Sequence, residues 1–96
     1  MKITALAQSH VRQVNPHVWG LGVAQAAPLQ LIAALPVSHH AVFPTEPILE
    51  YDKSAHPFSR DLILPAVVQR NGFVDIPQGS GLGIEINRDV LKRYMG

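Results

Sequence analysis

Two residues stand where a small α/β chain could do chemistry. His17 lies in "NPHVWG", where a strand-like run stops after Pro16 and the glycines Gly20 and Gly22 turn the chain into an alanine-rich helix. Glu50 lies in "ILEYD", at the end of the next strand-like run. Such junctions form the rim of a sheet or barrel, where loops rather than core carry chemistry. A histidine suits proton transfer there, because an unperturbed imidazole titrates at about pH 6.5 and both takes and returns a proton near neutrality. Read alone, each residue also has a plain structural explanation: an exposed histidine before a turn, and a solvated carboxylate at a strand end.

Other groupings are weaker. His39, His40 and His56 suggest a metal site only until geometry is considered: adjacent residues on a strand point to opposite faces, and the spacing fits no familiar zinc pattern. A solvated loop explains them better. "GSGLG" at 79–83 lacks the lysine of a phosphate loop and runs into strand-like "IEI", so it reads as a turn. "RDVLKRY" reads as a short solvated basic helix face.

The elements that must position His17 and Glu50 follow from apolar spacing. "ITALAQSH" places Ile3, Leu6 and Ala7 at helical spacing and reads as two helical turns ending near His10. "VRQVNPHV" has the β-branched residues Val11, Val14 and Val18, and Pro16 limits its pairing. Residues 23–35 are apolar on nearly all faces with Pro28 inside, which predicts a helix either buried on most sides or kinked near residue 27. "PILEY" supplies a second short strand, and "SAHPFSRDLIL" reads as a loop with one irregular turn. Asn71-Gly72 between strand-forming runs predicts a two-residue hairpin turn. "QGSGLGIEI" is a glycine-rich turn into a third extended piece, and "NRDVLKRYM" is a helix capped by Asn87. The strand–helix–strand unit implies parallel strands, which normally lie covered on both faces. Two of them alone leave edges and one face bare.

Composition says the same. The chain has 96 residues, enough for one small domain, with 47% apolar and only 16% charged residues against roughly 25% charged in an average globular protein. The surface is short of polar cover, which suggests a missing partner. A net charge of +1 argues against a nucleic-acid or anionic-membrane binder. There is no cysteine, hence no disulfide, thiolate nucleophile or thiolate metal site. The N-terminal residues lack the apolar stretch of a signal peptide, and residues 18–37 are too broken by glycine, proline and glutamine to span a membrane. A cytoplasmic protein is the expectation.

Taken in order, "PHVWG", the helix ending "AALP", "FPTEPILEYD", "HPFSRDL", "NGFVDIP" and "GLGIEI…VLKRY" resemble the C-terminal end of the mandelate racemase and muconate lactonizing branch of the enolase superfamily, in particular its acid-sugar dehydratases and racemases. The resemblance runs from about residue 3 to residue 95. It implies an α/β fold: the C-terminal fragment of a (β/α)8 TIM barrel, with its last two strands and the helix between them in residues 1–65. Residues 66–96 would contribute a β-hairpin and a short helix to the capping domain. A whole barrel of this type needs roughly 250 residues.

By this resemblance His17, at the tip of the seventh strand, is the base that takes a proton α to a carboxylate, and in a dehydratase it also serves as an acid. Glu50, at the tip of the eighth, hydrogen-bonds the substrate carboxylate as charge builds on it and must be protonated to donate. Trp19 lies beside the substrate mouth, with a packing aromatic under the turn as the alternative. A divalent ion, commonly magnesium, stabilises the enediolate in this family. Its ligands are carboxylates of the third to fifth strands and are expected outside this chain, as are a second base and the sixth-strand aspartate that would orient His17. Pro28 within the seventh helix and Ser80 in "GSGLG" depart from the family pattern. The chain alone is therefore expected to be inactive, either as a truncated reading frame or as a part that complements a separately encoded N-terminal portion to bring the acid-sugar site together. The competing expectation is a non-catalytic remnant that self-associates or binds a partner through its bare edges.

Overall fold

The computed structural model describes residues 1–35 and 46–95. His39 and His40 lie outside the described residues. In chain order the elements are α1 (Lys2–Ser9), α2 (Gly22–Ala33), α3 (Pro57–Asp61), β1 (Ile63–Leu64), β2 (Gln69–Arg70), β3 (Phe73–Val74), β4 (Glu85–Ile86) and α4 (Arg88–Tyr94). None of the described helices is long and apolar enough to cross a membrane.

α1 ends where the sequence predicts, but Val11 does not begin a strand. It takes φ +55°, and the next residue, Arg12, donates its N–H back to the Ala7 carbonyl at 2.9 Å. This is a helix-closing hydrogen bond around a left-handed residue, a position that favours glycine and strains a β-branched side chain. Helix closure therefore uses a residue that propensity assigns to the strand. The face of α1 also runs opposite to expectation: Ile3 and Leu6 are exposed, and Thr4 is buried.

The extended segments 13–17 and 46–50 run parallel, as the strand–helix–strand order requires. Their pairing is a single bridge, His17 to Glu50, and not the two continuous strands that propensity suggests. Pro16 and Pro47 lack the N–H a ladder needs, and no third strand among the described residues supports the pair. The pleat survives nonetheless. Gln13, Asn15, His17 and Trp19 are exposed while Val14, Pro16 and Val18 are half-buried, and Glu46, Ile48 and Glu50 alternate with Pro47 and Leu49 in the same way.

α2 continues through Pro28 and buries Gly22, Gln25, Ala26 and Leu29, a single stripe at helical spacing. Leu29 meets Leu62, Ile63 and Val67 in the core, with Val23, Leu49, Tyr51, Phe58 and Leu91 packed around them. Gly22 is where α2 touches α3 and β1. A Cβ there would stand 2.6 Å from the Ser59 carbonyl oxygen and 2.7 Å from Ile63 Cγ1, so only glycine lets the helix start this close. Gln30 ties the other end of α2 to the glycine-rich turn, donating to the carbonyls of Pro77 at 2.8 Å and Leu82 at 3.1 Å.

The segment read as a loop holds α3 and β1. Pro57 opens α3 at a position where its missing N–H costs nothing, and His56 Nδ1 accepts from Ser59 N–H as the cap. β1 pairs antiparallel with β4, Ile63 opposite Ile86. β2 and β3 form the expected hairpin, with Asn71 at φ +51° and Gly72 at φ +87°, both in the left-handed region that the preferred two-residue turn demands. Asn87 caps α4 as expected, its Oδ1 accepting from Val90 N–H.

Burial is incomplete. The radius of gyration is 15.3 Å, against about 13 Å for a compact chain of this length. The accessible surface is 7178 Å², where a compact monomer of 10.5 kDa exposes roughly 5400 Å². Ile3, Leu6, Val11, Trp19, Ile48 and Phe73 are among the large apolar side chains left in water.

Candidate active site

The exposed face of the two parallel segments carries the site. The bridge is closed by the Glu50 N–H donating to the Pro16 carbonyl at 3.0 Å, which brings side chains 33 residues apart in sequence onto one face. There His17 Nδ1 lies 2.7 Å from Glu50 Oε2. With Glu50 ionised the carboxylate accepts from Nδ1–H, which fixes the neutral ring's proton on Nδ1 and leaves the Nε2 lone pair free. The pair is open to solvent, with side-chain exposures of 71% and 61%, so by itself it adds no more than about 1 kcal/mol to stability.

The structure thus brings two of the three sequence-predicted residues into contact, and the third stands beside them. Trp19 is 80% exposed and lines, with His17, Val18, Glu50, Tyr51 and Asp52, an open recess of about 280 Å³. Glu50 contacts the imidazole itself, the place that the family resemblance gives to an aspartate of another strand. A larger recess of about 440 Å³ shares Tyr51 and Asp52 but holds neither His17 nor Glu50.

Asp52 is a member of the site that the sequence reading passed over. Hydrogen bonds from the Ser54 hydroxyl and backbone N–H, the latter at 2.8 Å, hold its carboxyl below the usual range, helped by the nearby His56 and His17. It is a standing negative charge at the edge of the recess. Tyr51 anchors the strand end from the other face, its hydroxyl donating to the Val67 carbonyl at 3.0 Å.

Among the described residues no three His, Asp or Glu side chains are grouped so as to hold a metal ion. The described residues by themselves do not build a magnesium site. They bring together an imidazole, a carboxylate against its Nδ1 and an aromatic wall, residue types that proton transfer can use.

The chain is 46% identical over 93 residues to a D-galactarolactone cycloisomerase from Agrobacterium fabrum, a match spanning 97% of this chain and 25% of the relative. It is 28% identical over 46 residues to an o-succinylbenzoate synthase from Bacillus subtilis, covering 48% of this chain and 12% of that protein. The fold superimposes on the crystal structure of a 3,6-anhydro-D-galactonate cycloisomerase from Zobellia galactanivorans with a TM-score of 0.75 and 29% identity, over 97% of this chain and 24% of that one. The chain spans about a quarter of the length of the cycloisomerases it matches. Its secondary structure, its parallel pair with the helix between, and its match over residues 1–90 to the enolase C-terminal domain-like family show that the chain belongs to that family, as a partial (β/α)8 barrel.

Proposed function

We propose that this chain supplies the base side of an enolase-superfamily active site that removes a proton α to the carboxylate of a sugar acid or sugar lactone. The observation that carries the reading is the 2.7 Å contact between His17 Nδ1 and Glu50 Oε2 at paired strand tips. His17 Nε2 takes the α-proton, and Glu50 steadies the imidazolium that results, in place of the protonated donor to the substrate carboxylate that the family resemblance implies. Trp19 forms the wall of the substrate mouth. The names of the relatives favour cycloisomerisation over the dehydration or racemisation that the sequence motifs suggest.

The reaction needs a closed scaffold. In our reading residues 1–65 form the end of the barrel and residues 66–96 a part of the cap, and the remaining strands come from a further portion of the enzyme. The magnesium of this family would take its ligands from those strands. The apolar side chains left exposed on α1 and at Ile48 support this, since a completed barrel covers them. The chain alone is inactive on this view, and it works in the cytoplasm.

The test is complementation. The chain is co-expressed with a D-galactarolactone cycloisomerase lacking the quarter that this chain matches, and the pair is assayed on a panel of sugar acids and lactones with magnesium present. Turnover that needs both parts supports the reading. An assembled pair without turnover contradicts it, and self-association of the chain in place of assembly favours a binding module.

A further inference from the structure

The parallel pair is held in register by side chains where backbone pairing is missing. Gln13 Nε2 donates to the Glu46 carbonyl at 2.6 Å, and Asn15 Oδ1 accepts from the Ile48 N–H at 3.2 Å. His17 and Glu50 form the third contact of the series. All three link residues 33 apart, and they recur at every second residue along one exposed face. Between the two segments the backbone contributes the single Glu50 to Pro16 hydrogen bond, and the prolines at 16 and 47 cannot add donors.

Register decides whether the site exists. Side chains alternate with a period of two, so a slip of one residue would turn Glu50 to the core face and put Leu49 or Tyr51 opposite His17. One backbone hydrogen bond at the strand tip is a weak guard against that slip. Two side-chain latches upstream, at the same offset, are a specific one.

We infer that Gln13 and Asn15 are positioning residues: they clamp segment 46–50 in the register that sets Glu50 against His17 Nδ1 and so select the ring tautomer with Nε2 free. Neither touches the imidazole, and both act through the strand they hold. The catalytic meaning rests on the proposed role of His17, but the clamp is a statement about geometry and is tested without turnover.

The experiment uses the 15N-labelled 96-residue chain, at a pH where His17 is neutral. Long-range 1H–15N correlations report which ring nitrogen carries the proton, and hydrogen exchange reports the Glu50 amide. The parent chain is expected to show the Nδ1–H form and a protected Glu50 N–H. Asn15→Leu and Gln13→Glu, which remove the acceptor and the donor at exposed positions away from the core, should lose both signals. Asn15→Asp, which keeps an acceptor oxygen, should retain them. Amide protection of the 69–74 hairpin in each variant shows that the fold persists. The proposal is overturned if the parent chain lacks the Nδ1–H form, or if Asn15→Leu and Gln13→Glu both keep it. A chain that holds the tautomer but gives no turnover when assembled would sink the functional reading and leave the clamp standing.

Discussion

Glu50 meets His17 twice over: its backbone N–H reaches the carbonyl of Pro16, the residue before the histidine, and its carboxylate lies 2.7 Å from the imidazole Nδ1. One residue therefore fixes where the ring sits and, with its carboxylate ionised, leaves Nε2 as the free nitrogen. Replacing Glu50 by glutamine keeps the shape but removes the charge that balances an imidazolium. In the assembled enzyme, Glu50→Gln should lower kcat by about 10- to 100-fold, the usual effect of losing an orienting partner, with a smaller effect on KM. Steady-state kinetics of the complemented pair checks this.

Gly22 sits where α2 enters between Ser59 and Ile63, and a methyl group has no room there. Gly22→Ala should destabilise the chain by about 1–3 kcal/mol, despite the better helix propensity of alanine. Urea denaturation followed by circular dichroism reads it.

Val11 should respond in the opposite sense. It holds φ +55° at the end of α1, a conformation that costs a β-branched residue about 1 kcal/mol or more. Val11→Gly relieves that strain, and the exposed valine side chain loses little packing. A higher denaturation midpoint for Val11→Gly is expected from the same measurement.

Asp52 gives a pH signature. Its carboxyl is held low chiefly by the Ser54 hydroxyl, then by the Ser54 N–H, with smaller help from His56 and His17. A carboxyl whose folded value lies below its unfolded value stabilises the fold above the unfolded value. That contribution disappears as pH falls through the folded one. Ser54→Ala should therefore raise the Asp52 titration midpoint toward that of a free aspartate, as followed by NMR of the side-chain carboxyl. An unchanged midpoint would show that the hydroxyl is not the cause.

The parts of this fold that were legible in the sequence are those that one local rule decides. Asn71-Gly72 tolerates the left-handed backbone, so the hairpin follows from two residues, and Asn87 caps α4 for an equally local reason. The parallel sense of 13–17 and 46–50 follows from chain topology, and with the family motifs it was enough to single out His17 and Glu50. What stayed hidden depends on distant partners. The β1–β4 pairing joins two-residue strands whose own sequence signals nothing. α3 is a single turn whose cap is a histidine, and Pro57 at its start was the one cue. Gln13 and Asn15 already alternated with His17, but polar alternation acquires meaning only when the facing segment supplies a carbonyl and an N–H at matching positions.

The central claim is that His17 Nε2, freed by the Nδ1 contact to Glu50, removes an α-proton. It is tested most directly by solvent exchange. The complemented pair is incubated with a sugar-acid substrate in D2O, and loss of the α-proton signal is followed by NMR for the parent sequence and for His17→Asn. The account predicts exchange with the parent and a loss of about 100-fold or more with His17→Asn. Exchange at an undiminished rate without the imidazole would contradict it.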